Sequence, residues 1–128
     1  MAGSWPAAAT LVKPDFYAGH TRGIAELSRS FTADAANGSV PDWTFTGDFS
    51  YLVGARVLFG TPGPNALVVA IKDSNGITVL TSSSLTGSGV IAITKDIPFI
   101  TGGTVSISGN STNGAIAKIV LYFEPSTR

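Results

Sequence analysis

The sequence predicts an all-β fold, a single β-sandwich or jelly roll of about eight antiparallel strands with an extended N-terminal arm. Three observations predict it. From Asn65 to Phe123 the chain reads as short apolar runs rich in β-branched residues, the composition that suits a pleated, half-buried surface. Gly, Ser, Thr and Asn bound each run, as turn residues bound strands. Long helical periods are missing, which argues against a layered α/β fold. Short strands at this spacing build a sandwich or barrel, and eight is the number of a jelly roll.

Residues 1–22 read as the arm and residues 23–128 as the β-domain. The arm holds Trp5, Pro6, Pro14, Phe16 and Tyr17 with no sustained period. Its prolines favour extended backbone in the residues before them. Its aromatics argue against disorder, since disordered segments are poor in them.

In 23–32, Ile24, Leu27 and Phe31 stand at helical spacing, whereas Ala25, Leu27, Arg29 and Phe31 alternate. The β-rich remainder decides for a strand. Residues 34–41 form a loop around the turn pair Asn37-Gly38. Trp43 and Phe45 share one face of the next strand. From Tyr51 to Phe59, strict alternation puts Tyr51, Val53, Ala55, Val57 and Phe59 on one face. Leu52, Gly54, Arg56 and Leu58 take the other, so both faces are largely apolar and the strand is expected to be central or at a subunit contact. Arg56 is the exception, a charge that needs a partner or an exposed rim.

Leu67 to Lys72 and Ile77 to Ser82 form a hairpin across Asp73-Ser74-Asn75-Gly76, residues that tolerate the left-handed turn region. Val90 to Thr94 is a strand. Ile97-Pro98-Phe99-Ile100 is an edge piece or buried loop because of its proline. Thr104 to Ser108 follows. The last strand turns Ala115, Ala117, Ile119, Leu121 and Phe123 inward.

Composition narrows the function. The 128 residues suit one domain. Charged residues are 12% and the formal net charge is zero, against about 25% charged in an ordinary domain. A nucleic-acid binder needs a basic excess, so none is expected. Near-zero charge does little to oppose self-association. No apolar run is long enough to span a membrane. The N-terminus lacks the basic region of a signal peptide.

Chemistry is equally sparse. Cys is absent and His20 is the one histidine, too few ligands for a His/Cys zinc site. His20 has no rigid frame for a triad. Asp73-Ser74-Asn75-Gly76 resembles half a calcium loop but lacks the later bidentate Glu. No carboxylate pair stands out for glycoside hydrolysis. Asn110-Ser111-Thr112 matches a glycosylation sequon by coincidence. No enzyme activity, cofactor or metal is expected. Trp43, Phe45 and Tyr51 offer the alternative of an aromatic platform for a sugar, although core packing is their ordinary role.

Val68 through Leu80 contains Asp73-x-x-Gly76-x-x-Val79-Leu80. It is followed by Gly102-Gly103-Thr104-Val105-Ser106-Ile107-Ser108-Gly109, and by Leu121-Tyr122-Phe123. This hairpin and strand pair resembles that of small virion structural proteins of tailed bacteriophages, over about half the chain. Met1 to His20 lies outside the resemblance. The resemblance implies a non-enzymatic capsid decoration, or cement, protein. It would be made in the host cytoplasm and sit on the capsid exterior. Its expected partners are itself, as a homotrimer, and the major capsid protein. Trp5, Phe16, Tyr17 and Arg22 are the expected contact residues, with Arg56 as a further cation, because Trp, Tyr and Arg anchor interfaces. The alternatives are a carbohydrate-binding module of a fibre or tail, and another head-completion or tail part.

Overall fold

Alternation of large apolar with small polar residues dictates the strands, and in several it survives as alternating burial. In β3 (Trp43–Thr46) burial alternates residue by residue, with Trp43 and Phe45 inside and Thr44 and Thr46 outside. In β2 (Ala25–Thr32), Ala25, Leu27 and Phe31 are buried. The computed structural model describes residues 3–6, 8–12, 25–46, 49–91, 93, 97–98 and 102–125. Among these the other strands are β1 (Thr10–Val12), β4 (Phe49–Phe59), β5 (Val68–Asp73) and β6 (Thr78–Thr81). They continue with β7 (Gly89–Ile91), β8 (Ile97–Pro98), β9 (Gly102–Ser108) and β10 (Ile116–Pro125).

The strands form two antiparallel sheets, and the described residues contain no helix. The wider sheet runs β1-β2-β10-β4-β7, with β8 also paired to β4. The narrower runs β3-β9-β5-β6. Pairing is nested along the chain: β5 with β6, β4 with β7 and β8, β3 with β9, β2 with β10. β7 and β8 lie along the same side of β4, against Ala55–Val57 and Tyr51–Leu52 respectively.

Both sheets supply one core. Leu52, Val57, Ile119, Leu121 and Phe123 come from the wider sheet, and Val69, Ile71 and Val105 from the narrower; all are fully buried. Phe45 meets Phe123 from the opposite sheet with ring centroids 5.7 Å apart. Each such side chain contributes about 1.5–3 kcal/mol by leaving water, so this shared layer is the main stabilising feature. Ala115, Ala117, Ile119, Leu121 and Phe123 all point into it, as their spacing predicts.

One expectation from the sequence needs correcting. Strict alternation does not hold along β4. Tyr122 pairs with Gly54 while Phe123 pairs with Leu52, so Val53 is an extra residue, a β-bulge. The bulge reverses the phase: Leu52 joins Ala55 and Val57 inside, and Tyr51 turns out to 40% exposure. Residues 3–6 and 8–12 lie along β2. Ser4 and Thr32 exchange two backbone hydrogen bonds of 2.8 Å, and β1 pairs with β2 from Thr10↔Ser28 to Val12↔Glu26.

One end of the domain is fastened by polar loops. The Asp34 carbonyl accepts from the N–H groups of Gly38 and Gly114. The Asn110 amide donates to the carbonyls of Gly38, at 2.7 Å, and Thr112, at 3.1 Å. Asn65 Oδ1 accepts from the N–H of Ser111. Three loops that are distant in sequence are thereby held together.

Candidate interaction surfaces

Trp5 is 8% exposed and belongs to the core of its own chain. Its ring packs edge-on against Phe31 at 5.3 Å and tilted against Trp43 at 5.2 Å. Its Nε1 donates to the Pro41 carbonyl at 2.8 Å. Arg29 Nη2 donates to the Trp5 carbonyl at 2.8 Å, and the Arg29 guanidinium lies 6.0 Å from the Trp43 ring centroid. An apolar ring, a satisfied indole N–H and a capped carbonyl leave Trp5 little free surface for another molecule. Phe16, Tyr17 and Arg22 lie outside the described residues, as does His20.

Arg56 is exposed on the outward face of the wider sheet. Cross-strand register places it in a row that runs Thr10, Ser28, Val120, Arg56, Val90. Ser28 and Val120 are buried in this row, whereas Val90 is 74% exposed. Lys118 and Ile116 on β10 and Tyr51 on β4 are also exposed. Tyr122 lies over Gly54, where an added Cβ would sit 3.3 Å from the ring. Aromatic, apolar and cationic groups thus share the outward face. That mixture, with Tyr and Arg among it, is the composition of protein-binding patches.

The narrower sheet differs. Thr44, Thr46, Thr104, Ser106 and Ser108 alternate with its buried residues, and the hydroxyls of Thr44 and Thr104 lie 3.2 Å apart. A groove of about 320 Å³ at one end is lined by Thr44, Thr46, Asp73, Ser74 and Thr104 with Gly102 and Gly103. Asp73 Oδ1 accepts from the N–H groups of Asn75 at 2.9 Å and Ile77 at 3.0 Å, which makes it a turn carboxylate. Among the described residues no three His, Cys, Asp or Glu come together in a way that could hold a metal ion.

The aromatic trio does not form a platform. Trp43 is 3% exposed and Phe45 is 6% exposed, and both face the core, whereas Tyr51 points outward from the other sheet. A sugar-stacking surface needs exposed ring faces, and only Tyr51 of the three offers one. Asn110 is committed to loop contacts through both amide atoms.

Asp34 has a lowered pKa. The Ala36 N–H donated to its Oδ1 holds the carboxyl below the ordinary range, and the Asn37 N–H adds to this; burial opposes them.

Sequence reasoning passed over Arg29 and the outward residues of β10. Arg29 had a signal, since it interrupts the Ala25, Leu27, Phe31 alternation with a charge. Ile116 and Lys118 had a weaker one, being simply the other face of the last strand. No helix among the described residues is long and apolar enough to cross a membrane. A scan of protein-family models, a search of curated proteins and a search of solved structures each return no match.

Proposed function

We propose that the protein is a non-enzymatic virion structural protein, a capsid decoration or cement protein that braces a phage shell. On this reading it associates with itself, as a homotrimer, and with the major capsid protein. The observation that carries the proposal is the strand order. With β1 set aside and β7 and β8 taken as two pieces of one strand, the sheets read β2-β10-β4-β7/β8 and β3-β9-β5-β6. We read this as an eight-stranded jelly-roll sandwich, a long antiparallel ribbon rolled on itself. Jelly rolls recur in viral capsid and lectin domains.

Fold alone does not choose between those uses. The burial of Trp43 and Phe45 counts against the lectin use. The outward face around Arg56, Tyr51, Val90 and Ile116 supports a protein partner. The phage-like hairpin at Asp73–Leu80 supports a virion setting. The arm contributes through Phe16, Tyr17 and Arg22, while Trp5 fills the core of the domain on which its segment lies.

Light scattering on the purified chain, followed by co-sedimentation with undecorated phage capsids, tests the proposal. A mass three times 13.1 kDa with capsid binding is expected. A hexamer would redirect the assignment to a tail or head-completion part. A monomer that binds glycans and ignores capsids would overturn it.

A further inference from the structure

Among the described residues, the hydrogen bonds, ring contacts and strand pairing of residues 3–6 and 8–12 reach residues between 26 and 43. Ser4 is bonded to Thr32, the Trp5 ring enters between Phe31 and Trp43, its N–H is taken by Pro41, and β1 borders β2. Only the twelve residues Lys13 to Ile24 join this segment to the strand it borders. Nothing in the docking chemistry depends on which copy of the chain supplies the segment.

We infer that residues 3–12 are an exchangeable strap, and that in the assembled protein each copy lays its strap on β2 of the next copy. The inference rests on the self-association reading above. Twelve residues span at most about 40 Å when extended, roughly the diameter expected for a domain of this length. A strap of that reach can arrive at an adjoining groove. Within one chain a short connection holds the strap at an effective concentration on the order of millimolar. Copies already held side by side present a neighbour's groove at a comparable level, so exchange costs little. A head-to-tail handover closes into a ring when the rotation between copies closes. Each copy then gives one indole and receives one, and no groove is left empty. Strap exchange therefore adds a covalently threaded interlock to whatever the outward sheet face contributes.

The chain has no cysteine, which makes the test direct. Ser4 and Thr32 are opposed in a hydrogen-bonded antiparallel pair, a separation that a disulfide bridges. A tagged chain carrying Ser4→Cys and an untagged chain carrying Thr32→Cys are co-expressed and oxidised. Exchange predicts a covalent tagged–untagged dimer on a non-reducing gel that reductant collapses. The double variant Ser4→Cys/Thr32→Cys should give a ladder ending at the full oligomer. Thr10→Cys with Ser28→Cys, partners in the β1–β2 register, repeats the test if the first pair fails to fold. Light scattering is run on the same samples. An oligomer that yields only intrachain disulfides overturns strap exchange and leaves self-association standing. A monomer with only intrachain disulfides overturns both.

Discussion

The indole nitrogen of Trp5 and the carbonyl oxygen of Pro41, thirty-six residues apart in sequence, are joined by a 2.8 Å hydrogen bond. The bond orients a ring that fills the core between Phe31 and Trp43. Trp5→Ala should therefore cost about 3–5 kcal/mol, the range for truncating a buried Trp. Trp5→Phe keeps a ring but leaves Pro41 without its donor, and should cost nearer 1 kcal/mol for the lost bond. Urea unfolding would show both as lower midpoints at unchanged slope. Deleting residues 1–12 should destabilise at least as much as Trp5→Ala, and an unchanged midpoint would refute the packing role given to this segment.

Gly102 and Gly76 both have positive φ, +130° and +81°. A Cβ on Gly102 would overlap the Phe45 carbonyl oxygen and crowd Thr46, whereas one on Gly76 would meet nothing within 4 Å. Gly76→Ala should cost only about 1 kcal/mol, from the left-handed backbone alone. Gly102→Ala must also push β3 away from β9, so its loss should be several times larger. Thermal unfolding of the two variants side by side checks the order.

Asp34 contributes to acid sensitivity. Its carboxyl titrates below the ordinary range because it accepts N–H bonds from Ala36 and Asn37 when folded. A depressed folded pKa adds stability above the unfolded value, about 3.9. That stability is lost as pH falls through the folded pKa. Asp34→Asn keeps an acceptor oxygen without the charge. The variant should show a shallower fall in melting temperature between neutral pH and about pH 3 than the parent; parallel curves would contradict the assignment.

Asn110 fastens one end of the domain by donating to Gly38 and Thr112 and accepting from Asn65 and Thr112. Asn110→Ala removes all of these; the Thr112 carbonyl keeps the Ala115 N–H, whereas the Gly38 carbonyl loses its Asn110 donor, at about 1–3 kcal/mol. Hydrogen exchange should quicken at Gly38, Asn65 and Thr112 in the variant while amides in β10 stay protected.

Arg56 stands exposed between Val120 and Val90 on the outward face. Arg56→Glu should shift folding stability by about 0.5 kcal/mol, as an exposed substitution does. On the proposed function it should lower capsid occupancy, or the mass of any oligomer in solution, by much more. Loss of folding and assembly in parallel would show that Arg56 acts through the fold and not through a partner.

The body of the fold was legible because its strands are written in local alternation. Trp43 and Phe45, and Ala115 through Phe123, needed only a count of two. The Asp73–Gly76 turn was equally plain, since Asp and Gly supply the local hydrogen bonds and the positive φ that a hairpin needs. What could not be read depended on distant partners. Ser4 and Trp5 owe their places to Thr32, Phe31 and Pro41, and no local period encodes them. The Val53 bulge is a mismatch of length between β4 and β10, so alternation within β4 alone gave the wrong phase for Tyr51 and Leu52. The outward face was hidden for a related reason: Arg56, Tyr51 and Ile116 come onto one face only once β4 and β10 are paired.

β10 follows β2 and β4 in the sequence yet lies between them in the wider sheet, bonded to β2 on one side and β4 on the other. A ribosome making this chain therefore releases β2 and β4 long before the strand that joins them exists. Until residues through Pro125 leave the exit tunnel, two apolar strands wait with unpaired edges, a state prone to aggregation. Any product truncated before Ile116 lacks the central strand of the wider sheet and should be recognised by chaperones and proteases as unfolded.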